Sequence, residues 1–477
     1  MTRYPLKAAT LATATLLAAC TMAPVYQRPA APVGSAWPTA TASGSEQAGE
    51  PAAQLAWQQF IADERLCRLL TLALDNNRDL RVAALNIEKA RAEYRIQGAE
   101  LFPAIGVSGS NSNSRVSADL SATGSSYISR SVSANVGFSA YELDFFGRLR
   151  SLNASALESF LATIETQRTT QISLVAEVSS AWLTLAADQE RLRLAQDTYR
   201  SRQESHELIA RRAELGVASQ LDLAQASTGV ETARADMAGY SSQTARDRNA
   251  LSVLVGTEIP ADLLPTALPE QVSSIRDLPA GIPSQVLQQR PDILAAEHRL
   301  KGANANIGAA RAAFFPNISL TASVGSASDQ LSGLFESGTR VWGFAPQVNL
   351  PIFSGGRLLA GLKSARVERE IATAQYEKAI QSAFREVADA LADHATLDEQ
   401  LRARQDLLSA SQDSFRLSEA RFSKGVDSYL TLLDAQRSLY GAQQALIATR
   451  LSRENNLITL YKALGGGALP AHGGSGS

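Results

Sequence analysis

Two stretches of this sequence place reactive residue types at spacings with chemical meaning. Near the start, Leu17-Ala18-Ala19-Cys20 follows a basic beginning (Arg3, Lys7) and an apolar stretch from Ala8. That order is an export signal, too short to span a membrane as a mature helix. Small residues ahead of a cysteine are also the pattern of a bacterial lipoprotein signal. Cys20 would then become the first residue, its thiol carrying diacylglycerol and its amine an acyl chain, a tether that does not insert the chain itself. Thr21 follows, with no Asp there to hold the product at an inner membrane. An ordinary signal peptide with a chance cysteine is the plainer alternative. Far downstream, Leu430, Asp434 and Arg437 fall at i, i+4 and i+7, along one face of a helix. Taken alone, the two charges are an i,i+3 surface pair worth a few tenths of a kcal/mol. Catalytic chemistry is not indicated: His206, His298, His394 and His472 lack ligand spacing, and no glycine-rich phosphate loop opens a helix after a strand. No Ser/His/Asp combination has a recognisable setting either. The expectation is a chain that is not an enzyme and takes no metal or cofactor beyond lipid on Cys20.

The elements that would carry these residues occur twice. Asp79-Leu80 opens an apolar periodic run ending at Phe102-Pro103, and Asp292-Ile293 opens one ending at Phe315-Pro316, 213 residues later at both ends. Gly147-Arg148, Glu177-Val178, Gly216-Val217 and Gly256 recur as Gly356-Arg357, Glu386-Val387, Gly425-Val426 and Gly465, each 209 residues on. The change of offset falls between Pro103 and Gly147, where a loop can absorb it. A duplicated unit with ungapped helical blocks suits a symmetric assembly better than a pocket built once. The positions matching Leu430, Asp434 and Arg437 are Leu221, Gln225 and Thr228, which carry neither charge.

Proline spacing outlines long helices, since none occurs between Pro103 and Pro260 or between Pro351 and Pro470. Leu174, Val178, Ala181, Leu185, Leu192, Ala195 and Tyr199 follow steps of three, four and seven, and Leu401, Leu408, Phe415 and Phe422 repeat every seven. A helix from Gly147 to Leu215 would be about 100 Å long at 1.5 Å per residue. Gly216 and Gly425 end the tracts, and Ser219 and Ser428 stand ready to cap the returning helices. Other segments alternate instead. Val132 to Ala140, Ile318 to Val324 and Trp342 to Leu350 do so clearly, and Ile105 with Val107 begins a weaker fourth. Each has about the ~9–11 residues that a tilted strand needs to cross a bilayer. Polar linkers, from about Asn111 to Ser126 and from about Ser326 to Thr339, join them as two hairpins. Four strands cannot close a membrane barrel, whose smallest forms have roughly eight, so several chains pooling strands is the favoured arrangement over a small soluble sheet. With Cys67 the only other cysteine, the mature form has no intrachain disulfide, and a net charge of −2 argues against nucleic acid.

These residues together resemble the TolC-like outer-membrane factors of tripartite efflux pumps, in the OprM-like lipoprotein branch. The resemblance runs in order through Pro24-Val-Tyr-Gln-Arg-Pro29, Asp75-Asn-Asn-Arg-Asp-Leu80, Glu142-Leu-Asp-Phe-Phe-Gly-Arg148 and Arg290-Pro-Asp-Ile-Leu-Ala-Ala-Glu297. It continues through Gly308-Ala-Ala-Arg-Ala-Ala-Phe-Phe-Pro316, Leu350-Pro-Ile-Phe-Ser-Gly-Gly-Arg357, Leu433-Asp-Ala-Gln-Arg-Ser-Leu439 and Leu460-Tyr-Lys-Ala-Leu-Gly-Gly466. It implies an α+β membrane protein: a homotrimer whose chains give four strands each to one twelve-stranded outer-membrane β-barrel, continued by a long periplasmic α-helical barrel. It further implies a passive exit duct for multidrug efflux in a Gram-negative outer membrane. Leu430, Asp434 and Arg437 would be its periplasmic gate. The turns Gly216, Val217, Ala218, Ser219 and Gly425, Val426, Asp427, Ser428 would dock a periplasmic adaptor coupled to an inner-membrane RND-type transporter.

On this reading residues 1–19 are the signal and 20–60 an extended segment on the periplasmic equatorial region. Residues 61–265 form the first repeat, with a β-hairpin at 104–142 and a helical hairpin at 147–256, and 266–282 a linker. Residues 283–465 form the second repeat, with hairpins at 316–352 and 355–464, and 466–477 a flexible tail. Other readings stay open at this stage. They are a type I protein-secretion or metal-efflux channel, a coiled-coil lipoprotein scaffold, and a periplasmic adaptor, though an adaptor has one helical hairpin rather than two.

Overall fold

The computed structural model describes residues 21–34, 37, 55–274 and 284–467. The signal segment, Cys20 and the tail from residue 468 lie outside the described residues. The chain divides into two compact units, one of residues 1–30, 86–164 and 295–376, the other of residues 31–85, 165–294 and 377–477.

The first unit holds a single antiparallel sheet of β1 (Gly106–Val116), β2 (Tyr127–Glu142), β3 (Asn317–Ser328) and β4 (Arg340–Asn349), in that order. Its register lines up Val107, Val136, Val324 and Trp342 as one row across all four strands. Phe138, Ala322 and Phe344 form the next row. Alternate positions put Ser108, Asn135, Ser323 and Gln347 on the opposite face. The apolar row is open, Val107 85% and Trp342 77% exposed. Such a face is stable only against lipid or other protein. β1 and β4 each pair on one side only, leaving ladders for further strands to complete.

The strands outrun the alternating apolar stretches. β1 continues through Asn111 to Val116, read from the sequence as linker, because its ladder with β2 extends to Val116 opposite Tyr127. Backbone pairing needs no apolar side chain, and Ser110 and Ser133 add a hydroxyl bond of 2.9 Å across it. β2 bulges between Phe138 and Tyr141, where Ala140 takes φ 54 and its N–H donates to Thr321 Oγ1 at 3.0 Å.

Residues of the N-terminal segment strap onto the helix Pro291–Ala312 within this unit. Asn304 donates to the Pro24 carbonyl at 2.7 Å and Arg311 to that of Met22 at 3.1 Å. Gly308 makes room, since a Cβ there would stand 2.7 Å from the Ala23 nitrogen. Arg28 closes a fork on buried Glu297 at 3.0 and 2.6 Å, and the Tyr26 hydroxyl donates to the same carboxylate at 3.1 Å. Burial works to raise that carboxyl, but the Arg28 bonds and Lys301 prevail and hold it below its usual value.

In the second unit, α1 (Glu64–Asn76) is capped by the Asp63 carboxylate, which accepts from the N–H groups of Arg65 and Leu66. α2 (Arg78–Ala99) follows it. α3 (Arg148–Glu214) and α4 (Gln220–Val255) form the first helical hairpin. After α5 (Pro291–Ala312), the helices α6 (Arg357–Ser423) and α7 (Tyr429–Ala463) form the second; α2, α3, α5 and α6 each have residues in both units. The heptad residues Leu174, Val178, Leu185 and Ala195 are all buried. Trp182 is wholly buried, its Nε1 donating to the Leu263 carbonyl at 3.0 Å. Each such large apolar side chain contributes about 1.5–3 kcal/mol. Arg290, in the Arg-Pro-Asp motif, joins Asp292 at 2.7 Å, Glu386 at 2.9 Å and the Ala463 carbonyl at 2.6 Å. Among the described residues, no helix is long and apolar enough to cross a membrane.

One pair inside the first hairpin sets a pH dependence. Asp188 on α3 is buried and accepts from Arg191 at 2.6 Å. Asp247 on α4 accepts from Gln243 at 2.8 Å through one oxygen, while its other oxygen is buried without a protein donor. Burial and the neighbouring Asp188 carboxylate push Asp247 up to about 6. Folded protein then retains a proton that the unfolded chain has lost between the ordinary carboxylate value and about 6, so stability falls as pH rises through that window. Asp247→Asn is expected to raise the melting temperature at about pH 7.5 and leave it nearly unchanged at about pH 4.5. An equal shift at both values would show that Asp247 does not retain its proton above the ordinary carboxylate range.

Candidate gate and docking turns

Each helical hairpin closes through a tight turn that its sequence specifies locally. After α3, Gly216 takes φ 75, a left-handed conformation that other residues rarely adopt. The N–H of Val217 reaches back to the Arg212 carbonyl at 2.8 Å. Ser219 then caps α4, accepting from the Asp222 N–H at 3.1 Å, and the Asp222 carboxylate accepts from the Ser219 N–H at 3.0 Å. The second turn repeats this plan. Gly425 has φ 71, the Val426 N–H donates to the Arg421 carbonyl at 2.9 Å, and Ser428 caps α7. Val217 is 74% and Val426 63% exposed, so both turns present an apolar tip.

The turns differ in charge. Asp427 is gripped by Arg421 through bonds of 2.6 and 2.8 Å, which hold its carboxyl below the usual value. The matching place in the first turn is Ala218.

Just beyond the second turn, Leu430, Asp434 and Arg437 lie on one exposed face of α7. The opposite face of that helix buries Tyr429, Leu432 and Leu433 in a cluster with Ile209 of α3, Ala226 of α4 and Phe422 of α6. The two hairpins therefore share a core at this end, and the face carrying the charges is turned away from it. Arg437 Nη1 stands 3.6 Å from Asp434 Oδ1, with both side chains more than half exposed. Within one chain this pair contributes at most about 1 kcal/mol, which leaves both groups available to a neighbour. Their first-repeat counterparts offer little: Leu221 is 66% exposed, and Thr228 bonds the Ala224 carbonyl of its own helix at 2.9 Å. Farther along, the Tyr440 hydroxyl donates to Asp236 at 3.1 Å, tying α7 to α4.

Sequence reasoning did not find the Arg421–Asp427 fork or the shared core. The fork could have been found by reading Ala218 against Asp427 in the 209-residue register. Cys20 lies outside the described residues, so the structure says nothing of lipid there.

Comparison with known proteins follows the same duplication. The family model described as outer membrane efflux protein matches residues 69–257 and again 282–466. The chain is 52% identical over 456 residues to an antibiotic efflux pump outer membrane protein, ArpC, of Pseudomonas putida, covering 95% of this chain and 94% of the relative. It has the same identity and coverage with a toluene efflux pump outer membrane protein, TtgC, of that species. Among solved structures it is similar to the open state of the MtrE outer membrane channel of Neisseria gonorrhoeae. The TM-score is 0.84 at 40% identity, covering 94% of this chain and 99% of that one.

Proposed function

This chain belongs to the outer membrane efflux protein family, and we propose that it closes its duct with rings of Leu430, Asp434 and Arg437 and docks an adaptor at its two helical turns. Its fold class is that of the family, three chains pooling four strands each in one outer-membrane β-barrel continued by an α-helical barrel. It is an outer-membrane channel of an efflux system in a Gram-negative bacterium. The TolC-like resemblance read from its motifs is borne out.

The observation that carries the gate reading is the exposed face of α7, where a leucine and two opposite charges follow the second turn while the first repeat keeps neither charge. Threefold symmetry turns each residue into a ring around the axis. Three leucines close a narrow opening to water and ions. Asp434 of one copy within reach of Arg437 of the next latches neighbouring helices by charge-assisted bonds. Transport itself is passive, so energy comes from an inner-membrane RND-type transporter through a periplasmic adaptor. Relatives of equal identity carry antibiotic in one case and toluene in the other. Substrates so unlike in chemistry fit a duct that does not select, and a multidrug role for this chain.

The lipid on Cys20 belongs to the same reading, as do the repeat boundaries 61–265 and 283–465. The signal ending Leu17-Ala18-Ala19-Cys20 is what supports the anchor, and the chain that follows it is held along α5 by the bonds to Met22 and Pro24. The docking reading rests on the apolar tips of the two turns. A photo-crosslinker at Ala218 in cells is expected to capture a periplasmic adaptor. Repeated capture of only the channel's own copies would count against docking at this turn.

A further inference from the structure

The duplication supplies an internal control for each residue at the two turns. In the 209-residue register Arg421 matches Arg212, Asp427 matches Ala218, and Phe422 matches Ala213. Arg421 is occupied within its own turn by Asp427, at 2.6 and 2.8 Å. Arg212 has no carboxylate at the equivalent place, and its guanidinium crosses to the other hairpin. There it lies over the ring of Phe422, 4.9 Å from the centroid. Phe422 in turn packs on Tyr429, centroid to centroid 5.8 Å, inside the core shared by the two hairpins. Tyr429 immediately precedes Leu430. The carbonyl of the same Arg212 accepts the N–H groups of Val217 at 2.8 Å and Ala218 at 3.2 Å. One residue is thus bonded through its backbone to the first turn and through its side chain to the second hairpin.

We propose that Arg212 is a positioning residue for the gate: its stack on Phe422 staples the second hairpin to the first and passes the conformation of the first turn to the helix that carries Leu430, Asp434 and Arg437. The proposal rests on the gate reading above. Rearrangement of Val217 and Ala218 when a partner seats on the first turn shifts the Arg212 carbonyl, and with it the guanidinium over Phe422. Losing the stack frees the start of α7 to move outward with the residues on its exposed face.

The test is planar-bilayer conductance of the purified full-length channel. Ala218→Asp gives the first turn the acid that the second turn has, and it is expected to draw Arg212 into its own turn. A staple of this kind, once lost, raises the open population by about two- to fivefold per chain. Phe422→Leu is expected to do the same, whereas Phe422→Tyr keeps the ring face and wild-type conductance. In an Arg212→Ala background, which already lacks the staple, Ala218→Asp is expected to add nothing, a non-additivity that mere disturbance of the turn does not give. Asp434→Ala/Arg437→Ala, measured beside them, reports on the gate itself. If that control opens the channel while Ala218→Asp leaves it like wild type, the staple is wrong and the gate stands. If Ala218→Asp opens it equally with or without Arg212, the arginine is not the link. A control without effect removes the gate reading, and this proposal with it.

Discussion

Cells whose only such channel carries Asp434→Ala/Arg437→Ala are expected to admit large hydrophilic antibiotics that the wild type excludes, at unchanged channel abundance. In one chain the pair is weak, 3.6 Å apart and more than half exposed. In the proposed gate threefold symmetry changes its weight, because each copy would bring the pair to the same ring. At about 0.2–1 kcal/mol for each of three latches, losing all of them shifts the closed–open balance by about 3- to 160-fold. Either single variant is expected to leak at least as much as the double, since each breaks all three latches and leaves a like-charged ring that repels itself. Sensitivity unchanged in all three variants would place the closure elsewhere along the duct.

The second large effect concerns the sheet. Phe344 lies near the middle of β4 on the open apolar face, 61% exposed, in the row with Phe138 and Ala322. Arginine on a lipid-facing position near the bilayer midplane costs about 2–4 kcal/mol, and a trimer incurs that cost three times. Phe344→Arg is therefore expected to abolish heat-resistant trimers in the outer-membrane fraction. Ala345→Arg, one residue on and facing the other way, is expected to insert nearly as well as wild type and to change ion selectivity instead. Fractionation and unheated gel electrophoresis of both variants distinguish the faces; loss of trimer in Ala345→Arg with Phe344→Arg intact would reverse the assignment.

The parts legible in the sequence were those under local control. Gly216 and Gly425 ended helices because only glycine settles easily at φ near +70, and Ser219 and Ser428 capped the returns because their hydroxyls reach the next turn. Repetition at a fixed offset exposed the architecture, and the resemblance supplied the trimer. Parts that depend on pairing between distant segments were not legible. Asn111 to Val116 look like linker until the ladder to β2 is drawn. Nothing in composition marks Ala140 as the residue of a bulge. The face of α7 bearing Leu430, Asp434 and Arg437 could be drawn from spacing alone, but its turning away from the shared core required Ile209, Ala226 and Phe422 to be placed together. Arg212 on Phe422 is a contact between the two repeats, invisible to any window along the chain, although the exchange of Asp427 for Ala218 was there to be read.

Planar-bilayer conductance of the purified mature trimer, wild type beside Asp434→Ala/Arg437→Ala, tests the central claim most directly. A small wild-type conductance that rises clearly in the double variant is the result expected of a passive pore closed at its second helical hairpin. Folded trimers that pass no current in either form, or an equal current in both, would contradict it.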